Sequence, residues 1–247
     1  MTHPLTSLLL SHRASGTPIV DLPAEAVPQS VEEAYQVQAE TVAGLGPVGA
    51  WKLAPMPETG VPFAAPILAK DVVASGATLA LADFSDLAIE VEVALIIGQD
   101  LPARAEGYTP ADVKSVIGSV SVALELLATR FVDRSTQPRL AMIADLQNNG
   151  GVVLGAPVPA DNLPEFGQQA MVLRFDGVEA AQTVGNATTE NMLAALAWLA
   201  GHAASIGLPL KAGDVVITGA RLGPVALGGN QVEAEAAGLG KVSVTFG

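Results

Sequence analysis

From about residue 47 onward, apolar residues recur at every second position in short stretches separated by Gly, Pro, Asn and Asp. A period of two marks strands whose side chains alternate between faces. The stretches ATLAL, LAIEVEVALII, SVSVALELLA, GVVLG, AMVLRF, DVVITGA, QVEAEA and KVSVTF each predict a strand. Residues 5–45 follow a helical period instead. TSLLLSHRASG reads as a short helix ending at Gly16. SVEEAYQVQAETVAGLG reads as a longer one, with Ser30 three residues before Glu33 at capping-box spacing. Two helices interrupt the strands. TPADVKSVIGSV opens on a Thr109 cap with Pro110 behind it. TENMLAALAWLAGHAASIG carries a stripe of Leu193, Leu196, Ala197, Ala200 and Ala204 that stops before Gly207. So many strands and so few helices predict an α+β fold, a mixed β-sheet roll or barrel rather than a doubly wound parallel sheet. The division expected is a small N-terminal helical region, 1–46, and a main domain, 47–247.

One strand breaks its own pattern. In IEVEVALII the face formed by Leu87, Ile89, Val91, Val93, Leu95 and Ile97 is wholly apolar, while the opposite face carries Glu90 and Glu92 and then continues as Ala94 and Ile96. A strand apolar on both sides of its carboxylates is expected to be covered on both faces. Residues two apart point the same way, so the two carboxylates share one small volume and repel each other there. The last hairpin provides a contrast. If GLG forms its turn, Val232, Ala234 and Ala236 face Phe246, Val244 and Val242, and Glu233 and Glu235 lie opposite Thr245 and Ser243. That is one dry face and one wet face, so those glutamates are solvated.

Composition narrows what could neutralise the buried pair. The chain has 247 residues, half of them apolar, with 25 acidic against 12 basic residues, and its net charge of −13 disfavours nucleic acid and anionic membrane surfaces. It has no cysteine, which excludes disulfides, thiolate metal sites and cysteine nucleophiles. His3, His12 and His202 are too scattered for a short imidazole motif. No apolar stretch is long enough to span a membrane, and the N-terminal apolar run is too short for a signal peptide, so a cytoplasmic protein is expected. A third carboxylate, Glu125, interrupts the apolar run SVSVALELLATR. Three carboxylates on strands of one sheet make an oxygen set for a hard divalent cation, Mg2+ or Mn2+ better than calcium or zinc. Edge-strand glutamates bridged to Lys or Arg are an equal alternative on spacing alone.

At these residues the chain resembles a known family. AIEVEVALII followed by ALELLATRFVD is similar to the Glu-x-Glu and Glu pattern of the fumarylacetoacetate hydrolase superfamily. SVEEAYQVQ, GAWKLA, PILAKDV, IADLQNNGGVVLG, LAWLA, LKAGDVVITGA and LGPVALGGNQVEAE follow the order of its 2-keto-4-pentenoate hydratase and 4-oxalocrotonate decarboxylase branch. The glutamates are shared across the superfamily; the GAWKLA lysine and ITGA narrow the resemblance to the branch.

The resemblance implies a metal-dependent hydratase, a lyase acting on small 2-oxo or 2-hydroxydienoic acids such as 2-hydroxypenta-2,4-dienoate in aromatic catabolism, and a homo-oligomer. It implies Glu90, Glu92 and Glu125 as ligands of Mg2+ or Mn2+, Lys52 and Asp71 as catalytic groups, and Asp145, Gln147 and Thr218 at the substrate. From the sequence, a lysine flanked by Trp51 and Leu53 is expected to be partly buried with a pKa easily depressed. Decarboxylation is the alternative outcome of the same site plan. A non-catalytic relative that keeps the carboxylate cage is another, because APMPETGVP after the lysine and TENM before the late helix depart from the branch pattern. Of the histidines, His12 alone is held as a candidate for the acid-base pair used by carbon-carbon hydrolases of the superfamily.

Overall fold

The computed structural model describes residues 2–161 and 163–247. Helix α1, Pro4–Ser15, is capped by the His3 ring, which accepts the Leu5 N–H, and ends on Gly16 at φ 71°. In α2, Val31–Leu45, Ser30 accepts the Glu33 N–H as its spacing predicts, but the Glu33 carboxylate reaches back to Gln29 rather than Ser30. Helix α3 is shorter than its sequence suggests. It has a complete capping box, Thr109 with Asp112, yet spans only Pro110–Ser115. The residues from Ile117 on join a strand, because pairing along the neighbouring glutamate strand outweighs local helix propensity. A six-residue helix α4, Arg139–Ala144, has no clear sequence period, and α5, Thr189–Ser205, closes the set.

The strands form two sheets. The larger has the order Ala64–Leu68, Val48–Leu53, Val215–Ile217, Ala88–Ile97, Ile117–Leu127, Asn149–Leu154, Val72–Ala74, with Leu222–Ala226 and Val158–Pro159 attached to its central strands. Its pairs are antiparallel except Val48–Leu53 with Val215–Ile217 and Val72–Ala74 with Asn149–Leu154. The second sheet runs Val178–Val184, Ala170–Phe175, Gln231–Ala236, Gly240–Phe246, Ala77–Leu79. Mixed sheets with few helices are the α+β architecture the alternation predicts. The strands it does not single out are those with interruptions, such as AAPIL with its proline and the exposed edge Val178–Val184.

The main core lies between the sheets and under α5, where Val91, Val93 and Leu95 meet Leu173, Val244 and Leu196. The opposite face of the glutamate strand is also covered: Ala94 packs with Ala50, Ile67, Ala123, Val152 and Ile217. Glu90 and Glu92 therefore interrupt a strand buried on both sides. The helices α1 and α2 contribute Leu5, Leu9, Ala34 and Val37 to a further cluster with Phe131, Ala141 and Ile143. In the C-terminal hairpin Val232 pairs with Val244 and Glu233 with Ser243, two residues away from the register a GLG turn gives. A shift of two leaves each side chain on its expected face. Glu233 and Glu235 lie on the wet side and contact Arg174 and Lys241.

Candidate metal centre

Antiparallel pairing sets Glu90 directly opposite Glu125 and Glu92 opposite Ala123. The three carboxylates each place an oxygen within 4.8 Å of the others, and Glu92 and Glu125 are fully buried. Lys52 arrives from two strands away. The strand between, Val215–Ile217, is short, and beyond it the Lys52 side chain extends to the carboxylates. Its Nζ lies 2.9 Å from Glu125 Oε2 and 3.5 Å from Glu90 Oε2. The Asn149 side chain donates to Glu125 Oε1 at 2.8 Å, and the Gly219 N–H donates to Glu92 Oε2 at 2.6 Å. At Gly219, φ is +93°, and a Cβ would lie 2.6 Å from Pro55 Cδ; only glycine presents its N–H to Glu92 from that turn.

The charge is unbalanced: three carboxylates face one ammonium. Burial pushes Glu90 up to about 7, with the Glu125 charge adding to the effect and Lys52 opposing it. Burial, Glu125 and Glu90 together hold Glu92 well above the ordinary carboxylate range. Burial works against the Lys52 charge, but Glu125, Glu90 and Glu92 outweigh it and raise Lys52 above its ordinary value. The depressed lysine expected from the sequence is thus reversed, because an apolar flank shows its burial but not the anions it faces. Among the described residues Glu92 Oε1 is buried with no hydrogen-bond partner, and Glu125 Oε2 has the Lys52 ammonium as its counter-charge. Buried oxygens in this state, all from carboxylates, fit a hard divalent cation.

The other residues predicted for the site are dispersed. Thr218 is buried beside the glutamate strand and its hydroxyl donates to the Val93 carbonyl. Gln147 sits at φ 54° between Leu146 and Asn148, both also left-handed, and its amide nitrogen is buried without a partner. Three such non-glycine residues in a row are strained, and the strand that begins at the next residue, Asn149, contacts Glu125. Asp145 is tied up by Arg130, which donates to it from its side chain and its backbone, as well as to the Asp145 and Asn149 carbonyls. Asp71 is paired with Lys70. It lines a cavity of about 650 Å3 with His12, Arg13, Lys70 and Arg130, whose walls include neither Lys52 nor any of the three glutamates. The reason is alternation: Leu126 points into that cavity and so Glu125 points away from it.

Asn149 and Arg221 also stand at the site, and neither carries a local sequence signal. Asn149 is one of two adjacent asparagines, and only pairing to Glu125 distinguishes it. Arg221 is buried among carbonyls and the Met192 sulfur, within electrostatic reach of Glu92, and burial lowers its pKa. The APMP and TENM segments, apart in sequence, meet here through Asn191 and Met56.

The fold is a two-sheet α+β roll that gathers three buried carboxylates and a lysine on one sheet. Residues 32–246 match the family model described as fumarylacetoacetate (FAA) hydrolase C-terminal, and the chain belongs to that family. It is 35% identical over 174 residues to a 2-keto-4-pentenoate hydratase of Burkholderia vietnamiensis, a match covering 69% of this chain and 64% of that protein. The chain thus aligns with a little under two thirds of that relative's length. A second relative, 2-keto-4-pentenoate hydratase 2 of Dechloromonas aromatica, is 29% identical over 253 residues, covering 97% of this chain and 95% of the relative. Among solved structures, 4-oxalocrotonate decarboxylase from Pseudomonas putida G7, complexed with magnesium and adipate, superposes with a TM-score of 0.83 at 17% identity, covering 99% of this chain and 97% of that one. At that identity the likeness is one of fold.

Proposed function

We propose that this chain is a divalent-metal-dependent lyase that hydrates small 2-hydroxydienoic or 2-oxo acids, 2-hydroxypenta-2,4-dienoate being the representative substrate. The observation that carries the reading is the convergence of Glu90, Glu92 and Glu125 on one buried volume with Lys52 against two of them. Relatives named as hydratases support the substrate class.

Glu90, Glu92 and Glu125 would hold magnesium or manganese, which when bound supplies Lewis-acid polarisation of a 2-oxo group. The chain's own residues do the rest. Lys52, whose Nζ lies against Glu125 and Glu90, is placed to pass a proton to or from a substrate at the site. Gln147, whose buried amide nitrogen lacks a partner, is proposed to donate to a substrate oxygen. Asn149 and the Gly219 N–H fix Glu125 and Glu92, so the carboxylates do not reorganise on binding. Asp71 and Asp145 are held by Lys70 and Arg130, and Asp145 through Arg130 supports the loop that leads to Asn149.

Loss of a carboxylate as carbon dioxide uses the same electron sink, so decarboxylation is the reaction to separate from hydration. Ultraviolet assay of 2-hydroxypenta-2,4-dienoate loss on metal-stripped protein, with and without added Mg2+ or Mn2+ and with 4-oxalocrotonate in competition, tests the reading. Metal-dependent turnover of the dienoate is expected. Preference for 4-oxalocrotonate moves the assignment to decarboxylation, and no turnover of either with metal bound sinks both. The reading extends to a cytoplasmic homo-oligomer in aromatic catabolism, and light scattering on purified protein tests the assembly.

A further inference from the structure

We propose that the cavity of about 650 Å3 beside α1 is a second binding site, separate from the glutamate centre, for a carboxylate with an apolar body. Three of the twelve Lys and Arg residues of an acidic chain, Arg13, Lys70 and Arg130, line this one cavity together with His12. Two of the three are already matched. Arg130 is bound to Asp145, and Lys70 lies 2.7 Å from Asp71.

Arg13 is the cation left over. Among the described residues its buried Nε has no hydrogen-bond partner, and no carboxylate, Asp83 of the same wall included, stands in an ion pair with it. Burial and the repulsion of Arg130 lower its pKa to about 10, against the opposing pull of Asp145 and Asp71, so it stays charged at neutral pH. Arg13 is half-buried, and its Nε, buried without an acceptor, costs stability unless a ligand supplies one.

The remaining walls set the rest of the ligand. Val73, Leu79, Phe84 and Leu126 line the same cavity, and the first three are only half-buried. A ligand that meets Arg13 with an oxyanion lays its other end on these side chains, which favours a monocarboxylate with an aromatic or aliphatic body over inorganic phosphate. Arg130 in the cavity wall donates to the Asn149 carbonyl, and Asn149 in turn holds Glu125. One residue, Asn149, therefore bridges the two sites through two hydrogen bonds.

The test is calorimetric titration of the metal-stripped full chain with benzoate, acetate and inorganic phosphate, so that the glutamate centre offers no metal ion to an acid. Saturable 1:1 benzoate binding, tighter than acetate or phosphate, is expected. Arg13→Gln, with its fold checked by circular dichroism, should weaken it roughly tenfold or more. Ala82→Glu is a second variant, at an exposed wall position where a new carboxylate repels the ligand without disturbing the core. Glu125→Gln should leave benzoate binding in place. The proposal is overturned if benzoate does not saturate, if both cavity variants bind it as the wild type does, if Glu125→Gln abolishes binding, or if phosphate binds and benzoate does not.

Discussion

The Asn191 side chain is paired with the backbone of Met56 in both directions, accepting its N–H at 3.0 Å and donating to its carbonyl at 2.8 Å. This clamp joins the start of α5 to the segment that follows Lys52, and Pro55 in that segment packs against Gly219, whose N–H holds Glu92. The two stretches that depart most from the family pattern thus form one wall near the carboxylates.

Cutting the clamp should loosen that wall. Asn191→Ala removes two hydrogen bonds and leaves the part-buried Met56 backbone groups unpaired, a loss of about 1–3 kcal/mol. Thermal unfolding reads the stability, and steady-state kinetics should show KM raised more than kcat is lowered. An unchanged melting temperature would mean that the segment holds its place without Asn191.

Removing the lysine should be costly. Lys52→Met leaves the Glu125 and Glu90 carboxylates without their counter-charge, and breaking a buried ion pair from one side costs about 3–5 kcal/mol. Because the folded-state pKa of Lys52 is raised, its stabilising effect is fully present at neutral pH and is lost only in strong alkali. Denaturant unfolding of metal-free protein at pH 7 should show the loss, and turnover should vanish with it.

The metal-free protein should lose stability as the pH rises from about 4.5 to about 7. Glu90 titrates near 7 in the fold against an ordinary value of 4.5, so across that window the native state binds more protons than the unfolded chain, and stability falls with pH. The effect is on the order of 3 kcal/mol. Comparing wild type with Glu90→Gln by denaturant titration at several pH values isolates it, since the variant should be flat where the wild type declines.

The two Glu-x-Glu pairs should behave oppositely toward Mg2+ and Mn2+. Glu90→Ala should abolish binding measured by equilibrium dialysis, whereas Glu233→Ala should leave it intact, because Glu233 stands on a wet face beside Arg174 and Lys241. Asn149→Ala, which frees Glu125 Oε1, should weaken metal binding roughly 10- to 100-fold. Equal loss from Glu233→Ala would point to charge alone rather than to a built site.

Much of this protein was legible in its sequence. Alternation identified the long strands, because burying one face requires a period of two whatever the partner strand is. It also marked Glu90 and Glu92 as buried, through the apolar continuation at Ala94 and Ile96, and set Glu233 and Glu235 apart. Caps at Ser30 and Thr109 were local, and local hydrogen bonds are written in adjacent residues.

What the sequence could not carry was which distant groups face one another. That Glu90 lies opposite Glu125 follows from strand register, and that Lys52 reaches both follows from a three-residue strand between them that ends at Ile217. The direction of the Lys52 shift, the separation of Asp71 from that site and the unmatched charge on Arg13 depend on distances between segments far apart in the chain. Periodicity fixes the face a side chain takes; only the packed fold decides what charge stands across from it.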